Sequence, residues 1–353
     1  MANEKLKDTR QRDYAFDNLK AVLILLVVFG HLLVQGKQYA VCNVIYRCIY
    51  VFHMPLFVFI SGYFSKKAAK SFSYAVKSAL IPYILFALIF KIVDCAITPA
   101  HLSALPRYLK EVPFVHWYLL CLFYWRFITP LLAKIKFPIL PILFALGIAS
   151  GLFLETNTLS VARAITFLPY YWLGFSLSSE RVETLRSRSK LLQLGILAVI
   201  FAAAIYCFIN VKLSYADIFQ MKESYAGCRL EPLSGVLVRT LTYAAASVIC
   251  LCLVGVTPNR RTILSSVGNN TLSVYIWHSY VIYFAVRKFG ILDGIISRLN
   301  AAGTVAFLFG CAVVLTVVLC LPPFTTLANG INKLAASIFG LLEKPFKKAG
   351  SKA

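Results

Sequence analysis

Residues 19–36 read LKAVLILLVVFGHLLVQG. Lys20 and Gln35 mark the ends of a run whose one other polar side chain is an imidazole, His31. At the helical rise of 1.5 Å per residue such a run covers about 27 Å, close to the roughly 30 Å hydrocarbon core of a bilayer. It reads as a transmembrane helix. Comparable runs recur at 44–64, 78–97, 114–132, 138–154, 162–179, 191–211, 235–256, 270–289 and 303–324. The 353-residue chain is 59% hydrophobic with a mean hydropathy of +0.75, whereas soluble chains lie near 45–50% apolar. The expected fold is therefore all-α: a polytopic integral membrane helical bundle of about ten transmembrane helices. The short alternating segments of a membrane β-barrel are absent from the sequence.

The formal charge is +22. Its basic residues fall in short clusters between apolar runs, the pattern of cytoplasmic loops, and no continuous basic face suggests nucleic acid. The N-terminal tail, 65–77, 133–137, 180–190, 257–269 and 325–353 hold roughly 21 Lys and Arg, against roughly nine in the alternate loops. Both termini are expected in the cytoplasm, with the chain a multi-pass protein of the cell (inner or plasma) membrane. The expected organisation is a cytoplasmic tail (1–18), a single membrane domain (19–325) and a C-terminal segment (326–353). In the last, Leu327, Ile331, Leu334, Ile338 and Leu341 recur at helical spacing, as in an amphipathic helix lying on the inner leaflet. The polar N-terminus does not read as a cleavable signal. Ten cysteines form no CxxC pair and read as buried thiols, with Cys42 and Cys228 the one pair placed for a disulfide.

Polar groups inside a membrane are costly and mark function by default. Counting helical rise from the inner end of each span places His31 about 18 Å deep, His53 about 16 Å and His278 about 12 Å. The three converge near mid-membrane if their helices are neighbours. An imidazole with an ordinary pKa of about 6.5 can stay neutral there and still accept a proton. A histidine bonded inside the bundle for packing is the competing reading of each. His116 is expected near the outer interface and His101 in an outer loop. Asp94 is the one acidic residue within an expected span, which weighs against a proton-coupled transporter. Lys66, Lys67, Lys70 and Lys77 form an inner loop that could serve topology alone or rim a phosphate-bearing cofactor. Arg126, roughly 9 Å from the inner face, needs an anion or several acceptors. No metal-ligand cluster is expected.

These features come together in a resemblance. DNLKAVLILLVVFGHLL (17–33) resembles the first span of the acyltransferase-3 family of membrane acyltransferases, in its fucose 4-O-acetylase-like branch, where a basic residue and ten further residues precede a histidine. FHMPLFVFISGYFSKK, VHWYLLCLFYWRF, LPYYWLGFSL and NTLSVYIWHSY resemble later spans, in the family's order, from about residue 13 to 285. The resemblance implies transfer of an acyl group, usually acetyl from acetyl-CoA, to a hydroxyl of an extracytoplasmic glycan or lipid-linked sugar. It makes His31 the catalytic histidine, as base or acyl carrier, with Lys20 in the same motif. His53, His278 and Arg126 become candidates for orientation or oxyanion stabilisation. The lysine loop becomes the place for the CoA phosphates. Lys20 departs from the Arg of many members and cannot pair bidentately. A glycolipid flippase or transporter without chemistry is the competing class, and it would usually show repeated halves, which this sequence lacks.

Overall fold

The computed structural model describes residues 12–103, 110–154, 158–210 and 216–350; most of the expected tail, 1–11, lies outside them. Among the described residues every regular element is a helix. In chain order the principal ones are α1 (Tyr14–Gly36), α2 (Ala40–Tyr63), α3 (Phe72–Ile97), α4 (Trp117–Leu132), α5 (Leu140–Phe153), α6 (Val161–Ser176), α7 (Ser179–Ser187), α8 (Lys190–Asn210), α9 (Pro232–Val256), α10 (Ile263–Asn269), α11 (Thr271–Tyr280), α12 (Ala301–Leu319) and α13 (Pro322–Gly350). A helix stands at each of the ten expected positions. Six of them, α1, α2, α3, α8, α9 and α12, are long and apolar enough to cross a bilayer. The chain is a membrane protein.

α1 is the central element: 61% of its most apolar window is buried inside the protein, against 17% for α8 at the periphery. Its start is set by polar residues. Asp13 caps the helix by accepting from Ala15 N (3.1 Å). Asn18 is fully engaged. Its amide donates to the carbonyls of Pro258 and Arg260, and its oxygen accepts from the hydroxyls of Thr262 (2.6 Å) and Ser265 (2.7 Å). Asp17 pairs with both Arg12 and Lys20. This knot explains why α1 begins at Tyr14 rather than at Leu19: the polar turn before the apolar run is held helical by the 258–269 segment. Glycine permits the close approach, since a Cβ on Gly268 would lie 1.9 Å from Asp17 O.

α2 crosses α6 backbone to backbone. A Cβ on Gly62 would stand 1.9 Å from Tyr171 O, and one on Gly174 would stand 1.9 Å from Phe59 O. Membrane helices gain no hydrophobic drive against lipid, so small residues that admit such contact hold the pair together by dispersion. The knot at Asn18, the Lys66 contacts with the carbonyls of Phe175 and Leu177, and the Arg186–Asp13 pair all lie at one end of the bundle. At the opposite end Tyr39 OH donates to Leu299 O, and Lys288 (3.0 Å) and His101 (2.9 Å) close on the buried carboxylate of Asp94.

Three local features depart from expectation. The loops expected at 65–77 and 180–190 are partly helical: α3 begins at Phe72, and α7 starts on a Ser178 cap that accepts from Arg181 N. The start of α4 moves from residue 114 to Trp117, because Phe114 takes a φ of +23° in the preceding turn. α11 continues as a π-helix, Val281–Lys288. The C-terminal segment is helical from Pro322. Ala328 and Ala335 are buried, Ile331 packs beside Phe86, Leu119 and Ile276, and Leu327, Leu334 and Leu341 are exposed. The apolar stripe is thus divided between a face on the bundle and a face turned outward. Cys42 and Cys228 are both buried.

Candidate active site

Two cavities open along one face of α1. Residues at i, i+4, i+7, i+11 and i+14 share a helix face, and here they are Lys20, Ile24, Val27, His31 and Val34. The first three line a narrow cavity of about 170 Å³ near the end that carries the N-terminus, together with Met54, Ser61, Tyr118, Thr271 and Tyr275. The last three line a cavity of about 760 Å³ toward the opposite end. Val27, Met54 and Tyr275 line both, so the two cavities meet at these side chains. Lys20 and His31 are eleven residues apart, about 16 Å along the helix.

His31 and His53 line the larger cavity, and the buried His278 lies beside His31. The His31 ring stands 5.6 Å from that of His278, 5.0 Å from Phe114 and 6.5 Å from Tyr50, whose ring is 4.7 Å from His53. The imidazoles differ in their commitments. His53 Nδ1 donates to Ile49 O (2.7 Å), His278 Nδ1 to Val274 O (2.8 Å) and His116 Nδ1 to Pro113 O (3.2 Å). A carbonyl only accepts, so each of these rings carries its proton on Nδ1 and presents Nε2 as an acceptor. His116 is fully buried against Phe90 and lies away from the cavity lining, and His101 is paired with Asp94. His31 is partly open to the cavity and makes no hydrogen bond to any described residue. Its two ring nitrogens are available to a ligand.

The residues expected to hold a cofactor lie at the N-terminal end and are not brought to the cavities as a group. Lys66 Nζ donates to the Phe175 and Leu177 carbonyls. Arg126 donates to Ser65 Oγ (3.3 Å) and to Ser78 O and Oγ (3.1 and 2.9 Å), with its guanidinium over Tyr74. The protein itself therefore supplies the acceptors that Arg126 needs. Lys67 and Lys77 are exposed, and the side chain of Lys70 lies outside the described residues. Lys20 faces the narrow cavity while paired to Asp17 (2.9 Å). Among the described residues no His, Cys, Asp and Glu cluster could hold a metal ion.

Several cavity residues were not singled out from sequence. Arg163 stacks on Trp117, 4.6 Å from the ring centroid, and Arg287 on Phe114 at 4.5 Å. Tyr275, which lines both cavities, anchors its hydroxyl on Val115 O. The backbone is strained around this cavity. Phe114 and Ser160, both lining it, have φ of +23° and +56°, and Met221, between the lining residues Gln220 and Lys222, has +52°. Such non-glycine conformations cost about 1–3 kcal/mol each and gather at functional sites.

Comparison with known proteins identifies the family of the chain. The acyltransferase-3 family profile, described as an acyltransferase domain, matches residues 13–322. The chain is 27% identical over 330 residues to the nodulation protein NolL of Sinorhizobium fredii, covering 85% of this chain and 87% of the relative. It is 46% identical over 74 residues to the nodulation protein NolL of Mesorhizobium japonicum, covering 19% and 20%. The first alignment spans most of its relative, the second a fifth. No solved structure matches the chain.

Proposed function

This chain belongs to the acyltransferase-3 family, and from that premise we propose that it is an O-acyltransferase, moving an acetyl group from cytosolic acetyl-CoA to a hydroxyl of a cell-envelope glycan or lipid-linked sugar. The observation that carries the reading is His31. Of the histidines at the larger cavity it alone keeps both ring nitrogens free of described partners, and it shares a helix face with the narrow cavity that leads to Lys20.

In this reading about ten helices cross the membrane, both termini are cytoplasmic, and α13 lies along the inner leaflet with Leu327, Leu334 and Leu341 in lipid. The N-terminal end is then the donor side. Lys20, Lys67, Lys70 and Lys77 offer positive charge to the CoA phosphates, and the narrow cavity admits the thioester arm toward Val27, Met54 and Tyr275. The larger cavity is the acceptor side. His31 takes the proton from the acceptor hydroxyl as its oxygen attacks the thioester carbonyl. The tetrahedral intermediate then collapses, the carbon–sulfur bond breaks, and the proton passes to the departing CoA thiolate. Tyr50, His53 and His278 surround the imidazole and fix its orientation. Lys66 and Arg126, tied to carbonyls and serines, shape the entrance.

The test is His31→Ala at matched abundance in lipid nanodiscs. Label from radioactive acetyl-CoA incorporated into the glycan fraction of source membranes should fall at least about 10²-fold, the low end of a general base's contribution. Acetyl-CoA binding should persist. Transfer within a few-fold of wild type would return His31 to a packing role.

A further inference from the structure

The larger cavity is strongly cationic. Among the described residues, Arg163, Arg287, Lys110 and Lys222 line it, against one lining carboxylate, Glu111. A cavity built for a neutral sugar has no need of this charge. The two arginines are also arranged alike. Each guanidinium lies over an aromatic ring of one short segment, Arg287 4.5 Å from the Phe114 centroid and Arg163 4.6 Å from that of Trp117. A guanidinium carries its N–H donors in a planar fork that matches a phosphate or carboxylate with two parallel hydrogen bonds. Arg163 Nε reaches Gln220 O at 3.4 Å, and among the described residues no carboxylate forms an ion pair with either arginine. Phe114 is also the ring 5.0 Å from His31, so Arg287 and His31 flank one side chain. Phe114 itself has a φ of +23°.

We propose that this cavity recognises an oxyanion: the acceptor is a sugar that carries a phosphate or carboxylate group, gripped by Arg163 and Arg287 while its hydroxyl is presented to His31. The assignment of the hydroxyl rests on the acyltransfer reading above; the anion site itself does not.

The experiment is therefore one of binding. Glucose 1-phosphate, glucuronate and methyl glucoside are titrated calorimetrically into the purified protein in nanodiscs, with saturating acetyl-CoA present to fill the donor side. The first two should bind at least about 10-fold more tightly than the neutral glycoside, as expected of charge-assisted bidentate contacts. Whichever of the two is preferred tells a phosphate from a carboxylate. Arg163→Gln and Arg287→Gln should each erase the preference, Arg→Lys should retain part of it, and Lys136→Gln, at an exposed lysine away from both cavities, should leave it intact. Equal binding of methyl glucoside would overturn the proposal, as would an undiminished preference in the Gln variants or displacement of the probe by acetyl-CoA. The wild-type comparison decides even if a variant fails to fold. Should His31→Ala abolish transfer while the probes show no preference, the anion site alone falls; should the preference hold while His31→Ala transfers normally, the catalytic reading alone falls.

Discussion

Gly62→Ala places a methyl group where the structure has backbone. The added Cβ would stand 1.9 Å from Tyr171 O and 2.8 Å from Tyr171 C, whereas ordinary contact begins at 3.4 Å. The α2–α6 crossing must open by about 1.5 Å, because a helix carbonyl cannot rotate aside as a side chain can. Overpacking of this kind costs about 1–3 kcal/mol, and a backbone target puts it at the upper end. The opening also moves α2, which carries Tyr50, His53 and Met54, against α6, which carries Arg163. Misplacement by 1 Å can cost a site about 10²-fold in rate. Thermal unfolding in detergent, followed by loss of the monodisperse peak, should shift down by several degrees, and transfer should fall at least about 10-fold. Gly174→Ala should behave alike, since its Cβ would meet Phe59 O at 1.9 Å. The double variant should cost less than the sum, the helices having already parted. Gly195→Ala and Gly310→Ala, which meet nothing within 4 Å, are the controls and should be neutral or slightly stabilising. If Gly62→Ala melts with wild type and transfers normally, close backbone packing does not hold this crossing.

Two further outcomes follow from the proposed donor side. Replacing Lys67, Lys70 and Lys77 together by Gln should raise the apparent KM for acetyl-CoA and flatten its salt dependence with kcat little changed; an unchanged KM would leave these lysines as topology signals. Single cysteines introduced in a variant without native cysteines should be labelled from the cytoplasm at Lys67 and from outside at Lys222; labelling of Lys67 from outside would reverse both the orientation and the donor route.

The amino-acid sequence determined the helices and the histidine. Apolar runs of spanning length fix where the chain must satisfy its backbone internally, and an imidazole inside such a run is conspicuous because its cost has to be met. Lys20 and His31 fall on one face because eleven residues make close to three turns, which needs no tertiary knowledge. Gly62 and Gly174 were visible as parts of separate motifs, but that each fits against the other's helix is a fact of the crossing. The pairing of His31 with His278 joins residues far apart in the chain, and periodicity carries no information about it. The tertiary structure likewise decided which histidine is free: carbonyls four or three residues earlier bind His53, His278 and His116, and none binds His31. Arg163 and Arg287 stayed hidden for a physical reason. Each sits at the end of an apolar run, where a cation ordinarily marks the membrane surface. Only the convergence of α6, the strained Phe114 turn and the π-helical end of the α11 segment over α1 turns those two surface charges into the lining of one cavity.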